Sequence, residues 1–470
     1  MTDPAKPAEG KPEVPQELYE KHKTIYAKAV RGFFDNWRIA MVVFTQAIFY
    51  LTPFLQWNDR QAVLFHLVER KFYIFGLVFW PQDVIYLAVL LMISAYGLFL
   101  VTAVAGRLFC GYACPQTVYT ELFMWVENWV EGDRPKRIKR DQRPWDAEKI
   151  RIKLTKHSLW LLLSLWTGLT LVCYFTPVHE LIEELKVWQL GGWEMFWIFF
   201  YAGFTYLMAG FMREQVCKYM CPYARFQSVM FDPDTLIITY DNERGEPRGT
   251  RKKGADIKQL GLGECVDCGI CVQVCPTGID IRKGLQYECI GCAACVDACD
   301  QVMDKVGYPR GLVRYSTENA MDHHLTRKEI LGHIVRPRIL LYTVILGLIT
   351  LLTAWFLIHR IPLKVDVIRD RSSLSREADD GSIENVFTLQ VMNTDEQAHR
   401  YRISVTGLDG VRIAGPSEVE VPGTRVQALL TSVQAPPEAG RKGSNPIQFV
   451  IEAIDKPEIA VKEKAAFMMP

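Results

Sequence analysis

Five apolar stretches of about 20 residues, eight cysteines packed between the last two, and a long tail of short alternating strands predict a multidomain membrane protein. The expected architecture is a five-helix transmembrane α bundle, a cytoplasmic cysteine-rich insert and a C-terminal all-β sandwich. At 470 residues the chain exceeds one ordinary domain. A net charge of +1 argues against nucleic acid as a partner. Residues 1–30 open with MTDPAKPAEGKPEVPQ, rich in Pro and Lys with no apolar core, and read as a disordered tail, not a signal peptide.

The expected spans are 39–57, 84–105, 158–176, 193–211 and 339–358. The run KFYIFGLVFW at 71–80 is too short to cross and is expected at the interface or against the second helix. Eleven Lys or Arg over 107–156 mark the loop between the second and third spans as cytoplasmic. The next loop carries Lys186 against Glu180, Glu183 and Glu184. Five spans then place the N-terminus and 213–338 in the cytoplasm, where reducing conditions keep thiols free as ligands, and 362–470 outside.

The outer segment alternates with period two in VFTLQVM (386–392), YRISVTG (401–407) and IQFVIEAI (447–454), broken by GLDG, VPGT and APPEAG. That pattern predicts an immunoglobulin-like sandwich over 362–470, without a cysteine to link its sheets. Its expected role is docking or spacing.

Eight of the thirteen cysteines lie in CVDCGICVQVCPTGIDIRKGLQYECIGCAACVDAC, 265–299. The run CxxCxxCxxxC occurs twice, the spacing of a bacterial two-cluster ferredoxin, in which the fourth cysteine of each half serves the other cluster. One [4Fe-4S] cluster is expected on Cys265, Cys268, Cys271 and Cys299, and the other on Cys289, Cys292, Cys295 and Cys275. Zinc knuckles need CxxC pairs set further apart, so zinc is disfavoured. Asp300 stands where such a run has proline, which leaves the ligands intact. No GxGxxG turn or P-loop occurs, so the chemistry is one-electron transfer without a resident nucleotide.

Two more pairs share the pattern CxYxCP: Cys110, Tyr112, Cys114, Pro115 and Cys217, Tyr219, Cys221, Pro222. Each follows an inward-running span, so 31–212 reads as two parallel repeats whose axis brings the motifs together. If the chain stays helical there, i,i+4 spacing puts both sulfurs of a pair on one face. Four such thiols form a soft site suited to Cu(I), zinc or iron–sulfur chemistry. Tyr112 and Tyr219 are expected as interfacial anchors. Cys173, alone in the third span, is expected to pack as an apolar residue. No histidine lies within a span, which argues against haem, and His323 and His324 read as a solvated loop pair.

The order CGYACPQT, CKYMCPYARFQSVMFD, GLQYECIGCAACVDACD and GYPRGLVRYSTENA resembles the cytochrome c oxidase accessory protein family (CcoG/FixG/RdxA), from about residue 30 to the C-terminus. The resemblance implies a bacterial inner-membrane protein that reduces Cu(II) to Cu(I) for assembly of a cbb3-type oxidase. It implies the eight ferredoxin cysteines as cluster ligands and Cys110, Cys114, Cys217 and Cys221 as the copper and reductase site. Its partners would be oxidase assembly factors or copper chaperones, an unidentified cytoplasmic electron donor and membrane lipid. Two other functions compete: a quinol-to-ferredoxin conduit of the nitrate-reductase accessory type, and a scaffold with structural clusters.

Overall fold

The computed structural model describes residues 24–58, 60–252, 257–370 and 375–470. In chain order the main helices are α1 (Phe33–Leu51), α2 (Val84–Ala105), α3 (Leu108–Tyr112), α4 (Pro115–Glu131), α5 (Ala147–Val172), α6 (Gly192–Leu207), α7 (Pro222–Met230), α8 (Ala294–Val306) and α9 (Pro337–Ile358). Among the described residues, four helical stretches are long and apolar enough to cross a membrane: Phe33–Phe54, Pro81–Ala105, Gly192–Met212 and Pro337–Ile358. The stretch expected as the third span lies in α5, which the five-helix count needs. Lys149, Lys153 and Lys156 occupy its first half. Its second half spends Ser164, Thr167 and Thr170 on bonds to its own backbone carbonyls. That polarity lies on the side packed against α1, α4 and α6, while Leu161, Leu162 and Trp166 on the other side are exposed.

Much of the tail expected over 1–30 lies outside the described residues, but 24–30 depart from it. This stretch lies against the insert and the basic loop: Lys28 N donates to Gln273 O, and Tyr26 Oη to Asp141. Ile25 and Val30 supply the apolar contacts that hold it, the first against Gly278 and the second in a buried cluster with Ile290.

The segment 71–80 meets the second helix, Phe79 against Tyr86 at 5.8 Å, and does so as β-structure. It forms part of a three-stranded antiparallel meander, β1 (Val63–His66), β2 (Lys71–Ile74) and β3 (Leu77–Phe79). Leu64, Tyr73, Val78 and Trp80 pack with Met392 of the C-terminal region. The run shows no polar alternation because apolar side chains stand on both faces, Tyr73 and Val78 buried on one and Phe72 and Phe79 half-buried on the other.

Residues 237–240 and 313–316 pair as β4 (Ile237–Tyr240) and β5 (Val313–Ser316), closing the ends of the insert. The C-terminal region is all-β. Its strands are β6 (Leu363–Arg369), β7 (Ile383–Asn393), β8 (His399–Thr406), β9 (Arg412–Ala414), β10 (Glu418–Val421), β11 (Val426–Ala435), β12 (Gly443–Ala453) and β13 (Ala460–Met469). One sheet runs β9-β11-β7-β6 and the other β10-β8-β12-β13, with antiparallel pairing throughout. Phe387 and Phe449 meet edge to face at 5.2 Å in the core between them. Each such fully buried side chain is worth roughly 2–3 kcal/mol.

The sandwich meets the bundle at one end of α2. Asp83, buried at that end, binds Arg360 at 2.8 Å and also Lys364. At the other end of α2, Arg336 donates to Ala103 O at 2.7 Å and pairs with Asp232 at 2.9 Å. Helix α9 packs along α2 between these two arginines.

Candidate metal centre

In both halves of the insert, residues of positive φ flank the middle cysteine: Asp267 (50°) and Gly269 (64°) about Cys268, Gly291 (68°) and Ala293 (58°) about Cys292. These kinks curl each loop about a point and turn successive amides toward it. Short helices follow, Ile270–Gln273 in the first half and α8 in the second, and they carry the chain to Cys275 and Cys299. Cys275 interacts with Cys289, Cys292 and Cys295. Cys299 interacts with Cys271, Cys265 and Cys268. The fourth thiol of each run thus crosses to the other set.

Burial first, and neighbouring thiols after it, push Cys289 and Cys299 up to about 12. Burial likewise pushes Cys271 up to about 11. A cavity lined by Cys275, Cys289, Cys292 and Cys295, with Cys271 at its edge, lies within the second set. Among the described residues no three His, Cys, Asp or Glu gather as a single-ion site. Mononuclear zinc, with Zn–S near 2.3 Å, needs such a gathering, and as placed neither the insert nor the four CxYxCP thiols supply one. Crowded, buried thiols on two curled loops fit four-iron groups, which are wider and bring the positive charge that thiolates need.

The first CxYxCP motif docks on this insert. A Cβ on Gly111 would meet Ile290 O at 2.8 Å and the Cys292 backbone at 3.0 Å, so only glycine permits this approach. Tyr112 is buried there, and its hydroxyl interacts with Tyr315, which in turn donates to Gly291 O. That contact replaces the interfacial anchor expected of Tyr112, whereas Tyr219 of the second motif is 67% exposed. Cys110 and Cys217 pack against the cluster of Val274, Ile290 and Cys292.

Each thiol pair straddles a helix break, in place of one continuous helical face. Cys114 (ψ 127°) and Cys221 (ψ 110°) are extended, and Pro115 and Pro222 open the helices that follow. Proline forces the residue before it out of helical geometry and suits the first helical turn itself. The kinks recur four residues before each pair's first cysteine, at Gly106 (φ 53°) and Arg213 (φ 39°).

The two repeats still bring their thiols together. Cys217 interacts with Cys114, Cys110 and Cys221, and burial followed by these neighbours pushes it up to about 12. Burial and Cys114 push Cys110 up to about 11. Gln227, fully buried on α7 of the second repeat, accepts from Cys110 Sγ at 3.4 Å. Arg107, just before α3, donates to Ala224 O on the same helix. Cys173 is buried with Val172, Leu181 and Ile198, the apolar packing expected of it.

Comparison with known proteins now bears on these features. Residues 212–318 match the 4Fe-4S dicluster domain, 87–137 a 4Fe-4S binding domain, and 353–470 the IG-like fold at the C-terminus of FixG. Protein RdxB of Cereibacter sphaeroides is 42% identical over 397 residues, 83% of each chain. The chain belongs to the FixG/RdxA family. Nitrogen fixation protein FixG of Rhizobium meliloti is 37% identical, over 85% of this chain and 82% of its own. Protein RdxA of Cereibacter sphaeroides is 39% identical, over 87% and 88%. A crystal structure of a FixG-related protein from Vibrio parahaemolyticus is 30% identical and covers 23% of this chain and 96% of its own, with a TM-score of 0.21. This FixG/RdxA chain is an iron–sulfur electron-transfer protein of the membrane, with an IG-like C-terminal domain.

Sequence reasoning missed several residues of this FixG/RdxA site. Arg38 interacts with Cys292 and pairs with Asp35 at 2.6 Å and Glu121 at 3.6 Å, placing a cation beside the inner thiol set. Its i,i+3 partner Asp35, just before the apolar run, was the available signal. Gln227 and Tyr315 lie within the motifs CKYMCPYARFQSVMFD and GYPRGLVRYSTENA, but their residue types gave no sign of the contacts they make.

Proposed function

We propose that the protein reduces Cu(II) to Cu(I) at Cys110, Cys114, Cys217 and Cys221, and hands the reduced ion to copper-site assembly of a cbb3-type oxidase. The observation that carries this reading is the docking of the first CxYxCP motif directly on the Ile290–Cys292 backbone. Soft sulfur favours Cu(I) over Cu(II), which prefers nitrogen and oxygen in tetragonal geometry, so four thiols raise the driving force for reduction. Cys265, Cys268, Cys271 and Cys299 would hold one four-iron group and Cys289, Cys292, Cys295 and Cys275 the other. Such groups supply one-electron transfer. Cys268 is exposed and Cys292 buried, an order that leads from solvent inward to the thiols.

In the proposed topology α5 is a fifth span, the insert and N-terminus are cytoplasmic, and the sandwich is periplasmic. The basic residues over 107–156 support that orientation. Oxidase assembly factors or copper chaperones would be the partners. The protein is made anaerobically with Cys110→Ser and Cys217→Ser together and compared with the parent. We expect about eight irons and eight sulfides in both, with copper binding and Cu(II) reduction lost in the variant. Unchanged copper stoichiometry and reduction rate would move the chemistry elsewhere.

One observation favours a second reading. The match over 87–137 to a 4Fe-4S binding domain includes Cys110 and Cys114. On that reading the four thiols hold a third four-iron group, and the parent carries about twelve irons, falling to about eight in the double variant.

A further inference from the structure

A cavity of about 480 Å³ lies among the membrane-crossing helices, on the bundle side of the first CxYxCP motif. Its walls come from α1 (Thr45, Gln46, Phe49), α5 (Thr167, Leu171) and α6 (Tyr201, Phe204), and Ala113, Pro115 and Gln116 close it against Cys114. That volume is in the range of small-molecule pockets, roughly 300–1,000 Å³. The lining is mostly apolar and aromatic, with one polar cluster. There the Tyr119 hydroxyl interacts with Tyr50, Thr167 and the Gln46 amide, and Tyr50 Oη lies 2.9 Å from Thr167 Oγ1. Gln46 Oε1, shielded from solvent, has no hydrogen-bond partner among the described residues. An orphaned acceptor in an apolar cavity is unfavourable unless a ligand donates to it.

We propose that this cavity binds the ring of a membrane hydroquinone, the electron donor that the copper reading leaves unnamed. The site rests on that reading for its purpose, though not for its binding. A hydroquinone dissolves in the bilayer, offers a hydroxyl donor to Gln46 Oε1, and presents a flat ring to Phe49, Tyr201 and Phe204. It also gives up two electrons where copper accepts one.

The balance is one hydroquinone oxidised to quinone, with two O–H bonds broken and two protons released. One electron would reduce Cu(II) to Cu(I) at the thiols, and the other would pass to the four-iron group that Cys275, Cys289, Cys292 and Cys295 would hold across the motif, for the next Cu(II). Gln116 lines both this cavity and the one below it, which contains Arg38, Glu121 and Cys292. Glu121, a buried carboxylate paired with Arg38, lines that lower cavity.

The test uses the full chain in lipid nanodiscs, kept anaerobic, and tritiated ubiquinol-1 as probe, with equilibrium binding as the readout, no copper present and lipid-only discs subtracted. We expect saturable binding at one site per chain. Gln46→Leu and Tyr119→Phe should each weaken it about tenfold, while Phe356→Ala on the exposed face of α9 changes nothing. Iron content and melting temperature are followed to show that the variants are folded. Non-saturable binding, or affinity indifferent to Gln46→Leu and Tyr119→Phe in folded protein, overturns the proposal, as does a phospholipid acyl chain found in the cavity. The Cys110→Ser, Cys217→Ser protein separates the two readings. It should bind the quinol as the parent does, so loss of copper chemistry with intact quinol binding, or the reverse in the cavity variants, identifies which reading has failed.

Discussion

The two CxYxCP motifs share a pattern and differ in what holds them. In the first, CGYAC, glycine follows the leading cysteine, and the insert presses backbone to backbone against it. In the second, CKYMC, lysine occupies the matched position, and Tyr219 and Met220 are exposed. The kinks before the motifs differ in the same way. Gly106 adopts positive φ as glycine readily does. Arg213 does so as an L-residue, at a cost of about 1 kcal/mol or more, and is fixed by ion pairing. Its guanidinium grips Glu127 at 3.0 and 3.1 Å and donates to Gly210 O. Burial raises Glu127, but Arg213, Lys156 and Arg137 outweigh it and hold the carboxyl below its usual range. A shared motif thus fixes where the sulfurs are, while unlike surroundings make one half of the site a docking face and the other an exposed flank.

The largest test of that contrast exchanges side chains at the matched positions. Gly111→Val should drive its branches into Ile290 O and Cys292, costing about 1–3 kcal/mol and lowering iron from about eight to about four per chain. Lys218→Val should stay within about 0.5 kcal/mol and keep its iron. Iron analysis with thermal melting reads both, and equal losses would erase the asymmetry.

The kinks give the next effect. Arg213→Ala leaves Glu127 with Arg137 and Lys156 only and should cost about 2–3 kcal/mol in chemical denaturation. Gly106→Ala should cost about 1 kcal/mol, from its positive φ and the nearby Leu236 O. A larger loss at Gly106 would reverse the assignment of which kink is side-chain-held.

The tyrosines give the smallest effect. Tyr112→Phe loses a buried hydroxyl contact with Tyr315 and should cost about 1 kcal/mol. Tyr219→Phe at the exposed flank should be nearly silent by the same melting measurement.

How much of this was legible varies with the kind of signal. The second span, 84–105, was read at its true limits, because α2 carries no charge and Asp83 and Gly106 bound it. The third, 158–176, falls mostly within a longer helix that starts at Ala147, where Lys149, Lys153 and Lys156 extend it through ion pairs such as Lys153–Glu131 at 2.9 Å. The cysteine-rich insert was legible as a 4Fe-4S dicluster domain, because cluster binding imposes a spacing on the chain itself. The docking of Gly111 was not, since it depends on a backbone contact 179 positions away in sequence, at Ile290. The difference between glycine and lysine at matched positions of a repeat was its one visible trace. Gln227 and Arg38 act across the fold, and neither residue type announces such a role locally.

The antiparallel pair of α2 and α9 has a consequence for reach. Arg336 rivets it at one end and Arg360 at the other, and only residues 359–362 separate α9 from the first sandwich strand. The pair is therefore a strut of about 33 Å, from 22 residues at 1.5 Å each. The sandwich does not swing on a tether. It stands off from the thiols at a fixed distance, set by the length of the two helices.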